Sequence, residues 1–182
     1  YKIMWALVED SKISKVYNKP IQLTIGDIKY PSNIHNLWSE AQLKAIGVYI
    51  VIEDNSNLKN KEYYINTNQT FNFASNKVTA SYGTAIAKDL DTLKTNHCAV
   101  IDNTAYGLLQ PNDWMVVRNA ENSKAIPSDW LDYRVAVRTA ATDMKTKINA
   151  VADVDALAAL YVYNDATPPV RPLGEWPTEP TS

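Results

Sequence analysis

The sequence predicts an α+β protein: a small N-terminal antiparallel β-rich domain, then a C-terminal helical bundle or stem, then an extended Pro-rich tail. Three observations predict it. Apolar residues alternate or run in short blocks up to residue 83, they recur at three- and four-residue spacing from Ala85 onward, and prolines crowd the segment after Thr167. The implied domains are residues 1–84, 85–163 and 164–182. With 46% hydrophobic and 21% charged side chains, 182 residues suffice to bury a core of ordinary globular size.

Along the first part, residues 3–8 and 13–17 read as strands on either side of a polar turn at 9–12. Residues 21–28 read as one strand bent at Gly26-Asp27. Ser39-x-x-Gln42 is a capping box and Gly47 stands where a helix C-terminus favours a left-handed residue, so a short helix is expected over 39–46. Strands resume at 48–52, 63–65, 71–73 and 78–82, with a polar loop at 54–61 and turns at 66–70 and at Ser75-Asn76, completing a small, mostly antiparallel sheet. The opening Tyr1-Lys2-Ile3-Met4-Trp5 reads as a strand and not as a secretion signal.

From Ala85 the period becomes helical. Ile86, Leu90, Leu93, His97, Val100 and Thr104 alternate by four and three, flanked by Ile101 and Leu108, which is heptad spacing for nearly three repeats. Such a helix would be about 30 Å long. Two readings stand side by side: an amphipathic helix packed on other helices of its own chain, or a self-associating stem whose seam residues His97 and Thr104 set register, with three-fold symmetry suiting a fibre. Pro111 should end that helix, and a short amphipathic one follows with Trp114, Met115 and Val117. Pro127 precedes Ser128, a good N-cap, and Asp129 and Asp132 favour the first turn of the helix it opens. There Trp130, Tyr133, Val137, Ala140, Ala141, Met144, Ile148 and Val151 mark one buried face. Bulky aromatics at helical spacing are expected in the core, so Trp114 and Trp130 are placed there. Asp153 is the expected N-cap of a last helix carrying Leu157, Leu160 and Tyr161. Prolines 168, 169, 172, 177 and 180 then favour an extended arm, mobile when alone, with Trp176 expected in a pocket of a neighbouring molecule.

Several function classes lose support. A net charge of −2, a pI near 5.7 and dispersed lysines give no nucleic-acid footprint. The apolar runs, such as Val48 to Ile52, are too short to cross a bilayer, so no membrane segment is expected. A single cysteine rules out an internal disulfide framework. His35, His97 and Cys98 are too few for a tetrahedral zinc site, and adjacent residues 97 and 98 diverge by about 100° on a helix, so they make no nucleophile–base pair. Glu53-Asp54 and Asp153-x-Asp155 fit solvated or capping roles, and Asn68-Gln69-Thr70 matches a glycosylation triplet to which no role is given. No cofactor is expected, nor is an enzyme, since serine-hydrolase, metalloprotease and phosphate-loop patterns are missing from the sequence.

Two stretches carry a resemblance. Leu108-Leu109, Asp113-Trp114, Arg118, Glu121, Pro127, Trp130, Tyr133-Arg134 and Arg138 resemble the signature of tail fibre assembly proteins and tail assembly chaperones of tailed phages, which also tend to finish in Trp-Pro, as at Trp176-Pro177. Tyr30-Pro31-Ser32-Asn33, Leu37-Trp38-Ser39-Glu40, Leu43 and Gly47-Val48 are similar to an N-terminal segment of phage tail-fibre-associated proteins. Here residues 139–173 separate the Tyr-Arg helix from the Trp-Pro ending, which suits a permanent part better than a transient helper. The resemblance implies a tail-associated structural protein (adaptor, fibre or baseplate-region subunit), made in the bacterial host cytoplasm and carried in the virion tail. Its partners would be other phage tail proteins and further copies of itself, with a trimer one such assembly. The alternatives are a fibre assembly chaperone not retained in the virion, or a carbohydrate-binding tail module, the latter motivated by 5 Trp and 11 Tyr.

Overall fold

A computed structural model describes residues 3–181; the reading of Tyr1 and Lys2 as the start of a strand, and the last residue of the expected arm, Ser182, lie outside the described residues. The protein is α+β, and the chain divides into two compact units, Tyr1–Ile86 and Ala87–Ser182.

The first unit is built on a five-stranded sheet in the order β2-β1-β5-β8-β7, from β1 (Trp5–Glu9), β2 (Lys12–Tyr17), β5 (Val48–Asp54), β7 (Thr70–Ala74) and β8 (Lys77–Ser81). Its two hairpins turn through residue pairs with positive φ, Asp10 and Ser11 at 49° and 59°, Ser75 and Asn76 at 50° and 57°. Two left-handed residues in a two-residue loop match the twist of the flanking strands, and short polar side chains tolerate that backbone best. The β5·β8 pair is parallel, with Val51 beside Val78, while the other pairs of this sheet are antiparallel. A parallel neighbour needs the chain to return first, and β7 makes that return: residues 55–69 lead from β5 to β7, and residues 55–76 in all join β5 to β8. The sheet curls so that its outer strands β2 and β7 approach one another.

The two faces of this sheet build two clusters, as the period of two requires, while Ile50 and Ile52 further along β5 stay exposed. Trp5, Leu7, Tyr17 and Val48 pack with Leu23, Ile34 and Leu43, whereas Ala6, Tyr49, Val51, Val78 and Ala80 form a second cluster with Phe71 and Phe73. The segment read as one bent strand is instead a hairpin, β3 (Leu23–Ile25) and β4 (Ile28–Tyr30). Gly26, at φ 58°, opens its two-residue loop and turns the chain fully back. A four-residue helix α1 (Ile34–Leu37) was not expected; α2 (Glu40–Ala45) was, and it carries the Ser39–Gln42 capping box. Gly47 follows at φ 83°, where an added Cβ would lie 2.5 Å from the Val8 carbonyl oxygen. A two-residue sheet of β6 (Tyr64–Ile65) with β9 (Ile86–Ala87) completes the strands.

The second unit is helical: α3 (Leu90–Leu109), a 3-10 turn at Gln110–Asn112, α4 (Asp113–Asn122), α5 (Ser128–Ala150) and α6 (Val154–Ala159). Helices α3 and α5 run antiparallel, as cross-links at both ends show. Lys94 Nζ donates to the Asn149 carbonyl (3.1 Å), Lys145 Nζ meets Asp102 Oδ1 (2.6 Å), and Arg134 reaches the Leu109 carbonyl (3.1 Å). Tyr133, Val137, Ala141, Met144 and Ile148 form the buried row of α5, close to expectation. Ser128 is the first helical residue and accepts no capping bond; Pro127 holds the cap position and its carbonyl receives the Leu131 N–H. Asp153 does cap α6, accepting from the Ala156 N–H at 2.7 Å.

The proline-rich segment lacks helix and strand, as expected, yet it is no free arm. Leu173 is 1% exposed, its N–H donates to the Leu160 carbonyl (2.9 Å), and Lys147 Nζ donates to the Pro172 and Leu173 carbonyls (2.8 and 3.1 Å). Prolines remove donors without removing acceptors, so a lysine on the neighbouring helix binds the backbone that proline leaves one-sided. Among the described residues no helix is long and apolar enough to cross a membrane.

Candidate interaction surface

The residues expected to form one heptad seam are divided by the fold. Ile86 lies outside α3, in β9, and is 66% exposed; Val100 is 61% exposed; Leu90 is half-buried in the first turn. Leu93 and His97 are buried, but the row continues to Ile101 and not to Val100. Steps of four fit a helix packing on α5 within the chain, whereas a 3.5-residue repeat holds only along a supercoiled partner. Thr104, at the expected seam, turns its hydroxyl back to the Val100 carbonyl at 2.8 Å. His97 Nδ1 pairs with the Tyr161 hydroxyl at 2.7 Å, so its polar partner is in its own unit. Arg171 stacks on Tyr161 and Tyr163, 5.8 and 5.4 Å from their centroids, and pairs with Glu175 at 3.3 Å. Trp176 is half-buried and lines a groove of its own chain together with Val135, Thr139 and Ala140 of α5.

The stretch from Leu108 to Arg138 has a simpler internal logic, because its marked residues pair off. Arg134 is 5% exposed, and its guanidinium donates to Asn112 Oδ1, to the Leu109 carbonyl and to Asp113 Oδ1 (2.7 Å). One planar fork thus ties the end of α3, the 3-10 turn and the start of α4 to α5. Asn112, itself buried, donates from Nδ2 to the Leu108 carbonyl at 3.1 Å. Trp130 meets Tyr133 edge-on at 5.9 Å, and burial, with a smaller push from the Glu179 carboxylate, raises the Tyr133 phenol above its ordinary range.

With α4 held by its N-terminus, what it displays differs from expectation. Met115 is the residue it buries; Trp114 is 53% exposed, Val116 and Val117 are exposed, and Trp130 is only half-buried. The Arg118 guanidinium lies over the Trp114 ring at 4.7 Å, and its Nε is buried with no hydrogen-bond partner among the described residues. On α5, Leu131 and Val135 are exposed one turn apart. Trp114 and Val117, one turn apart, therefore share an exposed helix face with a stacked cation beside it, and Val116 is exposed on the next flank. Isolated exposed apolar residues are ordinary; an exposed Trp–Val pair one turn apart with an arginine stacked on the Trp has the composition of an interface centre.

The remaining chemistry-bearing groups have local roles. Tyr17 donates its hydroxyl to His35 Nε2 (2.9 Å), because His35 Nδ1 faces the Ser32 carbonyl (2.9 Å) and must carry the ring hydrogen of the neutral form. Burial pushes the Tyr17 phenol up to about 12. Asp54 and Asp89 are held below the ordinary carboxylate range by hydrogen bonds from Ser56 and Thr92. Among the described residues no group of three or more His, Cys, Asp or Glu is placed to hold a metal ion. No protein-family model matches the chain, and neither a curated protein nor a solved structure matches it.

Proposed function

We propose that this chain is a tail-associated structural protein of a bacteriophage, made in the host cytoplasm, retained in the virion, and acting through contacts with other tail proteins. The observation that carries the reading is the pairing within the phage-like segment. Asp113 with Arg134, Trp114 with Arg118 and Trp130 with Tyr133 turn that segment into a clamp that holds α4 rigidly while Trp114, Val116 and Val117 face outward. A preorganised apolar anchor with a polar rim lowers the ordering cost of association. Of the heptad-spaced row, read either as an intrachain face or as a self-associating seam, Leu93 and His97 are buried, which favours the first reading and assigns the contact surface to α4.

Mass spectrometry of purified virions tests the proposal. A structural part is expected at stoichiometric amounts, and Trp114→Ala with Val117→Asp should deplete it from particles while the purified variant stays folded. Absence of the unaltered protein from finished particles that need it for assembly would identify a chaperone instead.

A further inference from the structure

The connection from β5 to β7, with Tyr82 after β8, carries a groove within the first unit. Its volume is about 520 Å³, within the range of small-ligand sites. Leu58, Tyr64, Thr67, Asn68, Gln69 and Tyr82 contribute to its walls. Among the lining residues there is no carboxylate, and Lys61 is the single charged one.

The loop is built from its own side chains. Asn66 accepts from the Lys59 N–H (2.9 Å) and donates to the Lys59 carbonyl (2.8 Å), closing the loop with both ends of one carboxamide. Asn60 accepts from the Glu62 N–H at 2.9 Å, and Tyr63 is buried beneath, its phenol raised chiefly by that burial. The opposite wall is stitched on by Asn57, which donates to the Tyr82 carbonyl (3.0 Å), and by Thr67, whose hydroxyl accepts from the Gly83 N–H (2.7 Å). A Cβ at Gly83 would lie 3.2 Å from a Thr67 methyl, so glycine permits this close approach.

Within that rigid frame the Asn68 and Gln69 carboxamides hydrogen-bond to no described residue. Tyr64, with Lys59 Nζ 5.5 Å over its ring, and Tyr82 add aromatic surface. We infer that this groove binds a short neutral oligosaccharide. Sugar hydroxyls donate and accept at once, which is what a carboxamide answers with its NH₂ and oxygen, and the C–H face of a pyranose covers a tyrosine ring. Lys61 in the lining and Lys59 over the Tyr64 ring are too few for a polyanion, and the missing carboxylates disfavour a cation. The inference does not rest on the tail reading.

The test is isothermal titration and amide chemical-shift mapping of the whole chain with neutral trisaccharides of glucose, galactose, mannose and N-acetylglucosamine. Sialylated and phosphorylated sugars and a proline-rich peptide serve as comparisons. At least one neutral trisaccharide is expected to bind and to shift amides at 64–69 and 82–83. Asn68→Ala and Gln69→Ala should each weaken it about tenfold, the scale of one lost buried hydrogen bond, while Asn96→Ala on α3 leaves it unchanged. Both altered carboxamides are outside the loop's internal bonds, so these variants fold. Three results would each overturn the inference: no neutral binding at millimolar sugar, preference for the anionic sugars or the peptide, or binding indifferent to both substitutions.

Discussion

At single positions, the backbone of Gly47 separates two costs that are usually merged. Gly26 and Gly47 both have positive φ, but an added Cβ meets nothing within 4 Å at Gly26 and the Val8 carbonyl oxygen at 2.5 Å at Gly47. Gly26→Ala should therefore lose about 1 kcal/mol, for backbone strain alone. Gly47→Ala should lose about 2 kcal/mol or more, with β1 pushed from α2, as urea denaturation would measure. Tyr17 gives a second test, because its phenol is raised from 10.0 to about 12. A raised acid keeps its stabilisation below the unfolded value and loses it as pH climbs through the folded one. The first unit should thus weaken between about pH 10 and 12, followed at 295 nm, and Tyr17→Phe should flatten that part of the profile. Gly47 was legible in the sequence because a glycine after a capped apolar run has one common use. The Tyr17–His35 pair was not, since residues 18 apart meet only through the β3–β4 hairpin and α1.

Among elements, the join of α3, α4 and α5 depends more on buried neutral acceptors than on its ion pair. The Asp113 side chain is 50% exposed, so water screens its attraction to Arg134, whereas Asn112 is 2% exposed. Asp113→Ala should cost less than about 1 kcal/mol, but Arg134→Ala about 3 kcal/mol, because it strands Asn112 Oδ1 and the Leu109 carbonyl. Thermal denaturation of the two variants compares them directly. The C-terminal segment answers to the same measurement: Leu173→Ala, at a fully buried position, should cost about 3 kcal/mol although it lies in no regular element. Here sequence and structure part for a definable reason. Periodicity located α5 and its face, but four consecutive apolar residues, Trp114 to Val117, leave a helix with several candidate faces, and the Arg134 clamp chooses Met115. Proline marked the last segment as irregular, and nothing local marked Leu173 as its anchor. The groove at 58–69 was illegible because its far wall, Tyr82, comes from β8's end.

For the molecule as a whole, two compact units with separate cores imply that unfolding is not one event. Calorimetry should give a van't Hoff enthalpy smaller than the calorimetric one, and Arg134→Ala should shift one transition while Gly47→Ala shifts the other. A single coincident transition moved by both would sink that expectation. The curl of the five-stranded sheet has a different consequence. An outermost strand with free N–H and C=O groups is a template on which another chain can add, and crowding many copies together makes that hazard acute. By bending β2 toward β7, the curl partly shelters both outer rims from such templating. The edges of this sheet are thus guarded twice, by their shape and by the exposed Lys12 and Lys15 of β2.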